Sequence, residues 1–177
     1  KSDMEFLNNK GLADRIPDFP NLANIEQHLS YYTYTITIDL EKIGIDGDIN
    51  LDNSIKAQRV KELLEIIKVL NREIRGREEN LSPIFIIGGI YKLNSPFFLG
   101  RIKLTGKDGE FSIDTEMLKD TATLKLGEDS IKKDTYVGIV KNSFKNEEEI
   151  KEDFATMNIQ EFFENLENKV DEYYSNK

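Results

Sequence analysis

This sequence predicts an α+β fold, an antiparallel sheet with helices packed on it. Three observations point there. Residues 31–40, YYTYTITIDL, alternate with a period of two: Tyr32, Tyr34, Ile36, Ile38 and Leu40 share one side, Tyr31, Thr33, Thr35, Thr37 and Asp39 the other. β-Branched and aromatic residues at that period make a strand. Residues 53–76 place Ile55, Val60, Leu63, Leu64, Ile67, Leu70 and Ile74 along a helical stripe. Residues 84–91, IFIIGGIY, are a continuous apolar run of the kind a central strand shows. Strand, long helix, strand is the core of the split β-α-β, ferredoxin-like or RRM-like fold.

Each element follows in order. Residues 1–23 read as irregular, because Pro17 and Pro20 fix φ and remove donors around Asp18 and Phe19. We divide the chain into an irregular segment 1–30, read as the end of an insertion, and an RRM-like palm 31–177. Asp46-Gly47-Asp48-Ile49-Asn50 lacks the Gly and terminal Glu of a calcium loop and reads as a turn. Asp52 or Asn53 caps the long helix. Lys56, Arg59, Lys61, Lys68, Arg72 and Arg75 decorate its outer faces, and Gly76 ends it. Gly88 and Gly89 predict a bulge or a close backbone approach. Asn94-Ser95-Pro96 is a turn into a strand over 97–104, with Arg101 and Lys103 on one face. Residues 110–118 read as a short strand running into a helical turn, 124–133 are ambiguous, 136–140 are a strand, and 146–153 are an acidic helix. Residues 158–174 form an amphipathic helix that buries Ile159, Phe162, Phe163, Leu166, Val170 and Tyr173.

The bulk properties exclude several function classes. With 177 residues, 38% apolar and 32% charged, the chain has the composition of one globular domain with a modest core. It has no cysteine, so disulfides, thiol catalysis and Cys-ligated metals are excluded. No apolar run approaches the roughly 20 residues a membrane helix needs, and no signal-peptide pattern opens the chain; we expect a cytoplasmic protein with no membrane partner. There is no GxGxxG, Walker loop, HExxH or GxSxG. No catalytic residue, metal or cofactor is therefore expected. His28 is the one histidine, and nothing at a recognisable spacing gives it a nucleophile or an orienting group.

What remains is binding. The net charge is -9, yet residues 56–107 hold 11 Lys plus Arg against 5 Glu. Residues 142–177 hold 10 acidic and 4 basic residues, so a cationic middle precedes an acidic end. Single-stranded RNA is held by cations on its phosphates and flat groups on its bases. The candidates are Arg72, Arg75 and Arg77 at the helix end, Lys92, Arg101 and Lys103 on the strands, and Tyr31, with Tyr34, for stacking. No RNP1 sequence is present, so an ordinary base-reading RRM is not indicated. Taken alone, the same residues are better described as solvated charges and core aromatics.

A resemblance tips that balance. NIEQHLSYYTYTITIDLEKIGI, the long helix closing in NREIRGREEN, SPIFIIGGIYKLNSPFF, and TYVGIVKNSF before the acidic end occur in the order seen in the DevR family of CRISPR-associated proteins, the backbone subunit of type I-B Cascade. The sequence resembles that family over residues 24–174. The family's basic loop is present only in part, as Arg75-Gly76-Arg77-Glu78-Glu79. The resemblance implies a modified RRM-like palm with an inserted thumb, of which part is present here. It implies a non-enzymatic subunit whose copies form a filament along CRISPR RNA beside other Cascade subunits, with target DNA reached through guide pairing. The chain opens on Lys1 without a first strand and helix before Tyr31, so we expect it to be the later part of a longer protein. Two other readings compete: a protein-interaction scaffold docking through the acidic tail and the Phe162/Phe163 helix without direct RNA binding, and a ribonuclease using an Asp or His on the 2′-OH.

Overall fold

The structure, a computed structural model, describes residues 2–8, 22–28, 30–74, 76–107 and 110–177. It is an α+β fold with antiparallel sheets and, among the described residues, four α-helices, consistent with the ferredoxin-like, RRM-like class. The chain divides into two compact units, Lys1–Tyr34 and Thr35–Lys177.

The first unit contains an antiparallel hairpin. Strand β1 (Ser2–Asn8) pairs with β2 (Leu22–His28), from Ser2 opposite His28 to Asn8 opposite Leu22. The irregular segment expected over residues 1–23 is thus replaced at both ends by strand; the Pro17 and Pro20 loop lies outside the described residues. The strand expected over residues 31–40 is not formed. Residues 31–37 are exposed and make no ladder. An alternating pattern specifies a pleated preference, which tertiary context overrides.

In the second unit, β3 (Ile45–Asp46) and β4 (Ile49–Asn50) form a tight hairpin that confirms the Asp46–Asn50 turn. Helix α1 (Asn53–Lys68) follows from an Asp52 N-cap. It ends at Lys68, before the Leu70 and Ile74 of its expected stripe. The Val69 N–H closes the last turn, and the next residues form the hairpin β5 (Asn71–Ile74) and β6 (Arg77–Asn80). Gly76, at φ +76°, occupies the left-handed position of the turn, where a glycine costs least. The Leu81 N–H donates to the Leu70 carbonyl at 2.8 Å, so the hairpin's two ends meet. The buried side of α1 is Lys56, Ala57, Val60, Leu64 and Ile67. Ile55 and Leu63 are exposed, and Lys56, expected outside, is buried with Nζ donating to Asn50 Oδ1 at 2.6 Å.

The centre of this unit is a three-stranded sheet in the order β13 (Ala155–Met157), β12 (Tyr136–Ile139), β7 (Phe85–Gly88). β12 is antiparallel to β7 and parallel to β13. The apolar 84–91 run therefore supplies an edge strand of this sheet, not its middle. It is apolar on both sides because both faces are covered. Ile86 and Tyr136 face a cluster formed by Ala57, Val60, Leu64 and Ile67 of α1 with Phe162, Phe163, Val170 and Tyr174 of α4 (Ile159–Ser175). Phe85, Ile87, Val137 and Ile139 face a second cluster with Phe98, Ile113, Leu118, Ala122, Ile131, Phe144, Ile150 and Phe154.

That second layer comprises the hairpin β8 (Leu104–Lys107) and β9 (Glu110–Ile113), α2 (Thr115–Ala122), the hairpin β10 (Lys125–Leu126) and β11 (Asp129–Ser130), and α3 (Glu147–Asp153). Asn146 clasps it: its amide donates to the Ile113 carbonyl at 2.8 Å and accepts from the Ile113 N–H at 3.0 Å. The strand expected over 97–104 is instead a run of turns over 97–101 with β8 beginning at Leu104. Helix α4 opens with a capping box between Asn158 and Glu161. Its buried tyrosine is Tyr174; Tyr173 is only partly covered.

Candidate nucleic-acid interface

The sheet itself is not open for base stacking. An RRM sheet reads bases on a face left free by its two helices; here the second apolar layer lies on that face. Any contact to a polynucleotide therefore falls on the edges and projections, where the exposed cations are.

The seven predicted residues separate into groups. Arg72 and Arg77 lie on the β5–β6 hairpin, not at a helix end. Pairing of Arg72 with Glu79 and of Ile74 with Arg77 puts Arg72, Arg77 and Glu79 on one face. Arg72 Nε donates to Glu79 Oε2 at 2.7 Å in an exposed pair, so part of its charge is already matched. Arg75 lies outside the described residues. Across the other face, Glu73 stands directly opposite Glu78.

Lys92, Arg101 and Lys103 are not on strands. They sit in the bends and turns between β7 and β8. Tyr91 and Phe97 pack edge to face at 5.0 Å, and buried Phe98 pins the turn to the second layer. Ile102 turns inward between Arg101 and Lys103, leaving both cations exposed. Neither has an ion-pair partner among the described residues. Lys92 does: its Nζ lies 3.3 Å from Asp129 Oδ2, and Lys133 Nζ lies 2.5 Å from the same oxygen. The hydrogen bonds from Lys133 and then Lys92 hold the Asp129 carboxyl below its usual range. Sequence reasoning missed Lys133, although Asp129 and Lys133 stand at the i,i+4 spacing that signals a pair.

Tyr31 belongs to the first unit, in the exposed coil before Tyr34. His28 closes β2. Among the described residues no group of acidic or histidine side chains is arranged to hold a metal ion, and no helix is long and apolar enough to cross a membrane.

A protein-family model described as CRISPR-associated negative auto-regulator DevR/Csa2 matches residues 7–107. The chain belongs to the DevR/Csa2 family. It is accordingly a CRISPR-associated protein. No curated protein and no solved structure matched it. The DevR/Csa2 match takes in the β5–β6 hairpin and all seven candidate residues; the TYVGIVKNSF segment and the acidic helix lie beyond it.

Proposed function

We propose that this DevR/Csa2 chain is a CRISPR RNA-binding backbone subunit of a type I interference complex of the Cascade kind, type I-B by its resemblance. Copies line up along the guide RNA beside other Cascade subunits, and target DNA is reached by pairing with the exposed guide bases. The subunit binds and does no chemistry.

The observation that carries this reading is the family match over a region that presents Arg101 and Lys103 exposed and, among the described residues, without ion-pair partners. Exposed cations on turns suit phosphate gripping without base readout. A sheet covered on both faces agrees with a protein that leaves the bases to the target. Contacts so few per copy suffice when many copies share one strand, because linked sites gain avidity.

The scaffold reading keeps the acidic tail but not Phe162 and Phe163, which are each 1% exposed and belong to the core. The deciding experiment is expression with the neighbouring genes of its locus, followed by purification. Co-elution of a short RNA of uniform length, lost as salt is raised, is expected. A complex that purifies without RNA, together with no RNA binding by the pure chain at low salt, would sink the proposal.

A further inference from the structure

We infer that Glu65 of α1 and Glu167 of α4 hold one proton between them and make this helix pair a pH-sensitive latch, closed with the proton in place and loosened when it leaves. The inference stands on the packing of the second unit and is independent of the RNA reading.

Both side chains line one open cleft between the two helices, about 570 Å³, together with Gln58, Lys61, Glu62 and Ile66. Their carboxyl groups are hydrogen-bonded to each other. Ionised carboxylates only accept, so that bond exists only with a proton on one of them. Glu167 is the acid. It is the more covered of the two, with Oε1 buried, and burial favours the neutral form. Glu65 is the carboxylate, because Lys68 Nζ bonds its Oε1 at 2.5 Å. Lys61, the other cation at the cleft, is drawn to Asp171 at 2.9 Å.

The surrounding charges agree with that assignment. Burial first, then the bond to Glu65 and its charge, hold the Glu167 carboxyl above the usual range, against the pull of Lys68 and Lys61. The Lys68 bond first, then that from Glu167, hold Glu65 below it. Glu62 also faces the cleft from α1. β12, the other element packed on α4, brings neither a carboxylate nor a cation; its Tyr136 ring lies under Lys169 of α4, 5.3 Å from Nζ. Loss of the proton leaves two like charges in contact on the helix pair that buries Val60, Leu64, Phe163 and Val170. Glu167 therefore stabilises the fold fully below the unfolded carboxyl value of roughly 4.3, and that contribution is lost as the pH rises through its folded value.

Glu167→Gln replaces the shared proton with a permanent N–H donor. Denaturation midpoints of the wild-type chain and of this variant are measured from about pH 5 to about 8, where ordinary carboxylates are already ionised. The wild-type midpoint should fall relative to that of the variant as the pH rises; parallel profiles overturn the inference. Carbon-13 carboxyl spectra of the wild-type chain give a second measure that needs no variant to fold. One glutamate should titrate above the ordinary glutamate range, and its signal should be gone in Glu167→Gln. A wild-type chain in which no glutamate titrates above that range overturns the inference as well, as does a raised signal that persists in Glu167→Gln.

Discussion

Gly138 of the central strand lies directly under Phe162 of α4: a Cβ placed on Gly138 would come 2.9 Å from Phe162 Cβ and 2.7 Å from Ile86 Cγ2. Gly138→Ala should therefore lower stability by about 1–3 kcal/mol through overpacking. Gly88→Ala, one strand away with open space where its Cβ would go, should be near neutral. Denaturant melts of the two variants check the contrast; equal midpoints would refute it.

Tyr174 ties the end of α4 to the start of the unit, its Oη donating to the Leu40 carbonyl at 2.7 Å. Tyr174→Phe keeps the ring and removes the donor, so it should cost about 1 kcal/mol. The same melt should show an unchanged slope with the midpoint moved down.

Tyr91 should titrate late. Burial pushes its hydroxyl up to about 12, the Asp134 charge adds to the shift, and the hydrogen bond to Thr135 acts the other way. Its folded value stands above the unfolded one of roughly 10. The stability it contributes is complete below about pH 10 and is lost as the pH climbs through about 12. Phenolate absorbance should show a last step that Tyr91→Phe abolishes.

If the RNA reading holds, Arg101→Ala with Lys103→Ala should weaken binding across unrelated RNA sequences alike. The slope of log K against log salt should fall by about 0.7 for each phosphate left without its cation. Arg72→Ala, already neutralised in part by Glu79, should change the slope less. Anisotropy titrations at several salt concentrations measure both.

Much of the second unit was legible in its sequence. The Asn158–Glu161 capping box and the Phe162, Phe163, Val170 spacing dictate α4, and the apolar 136–140 segment dictates β12. Gly89 was legible as a close approach, and its Cβ would sit 1.7 Å from the Asp134 carbonyl oxygen. What misled were segments whose pattern is satisfied only by tertiary partners. The stripe of α1 ran on through Leu70 and Ile74, but Arg75-Gly76 favours a reversal and the chain takes a hairpin. YYTYTITIDL alternates as a strand must, yet residues 31–37 lie exposed outside any strand. The binding candidates were legible as residue types only. Which cations are matched, as Lys92 is by Asp129, depends on residues 37 positions apart that no local pattern links.

The β5–β6 hairpin stands on a closed base. Its feet are already bonded through Leu81 and Leu70, and among its described residues none belongs to the central clusters. It is a detachable module: excising residues 71–80 asks the remaining chain to bridge a gap that backbone pairing has nearly closed. The packing of the unit therefore leaves this projection's sequence to be set by what Arg72 and Arg77 touch.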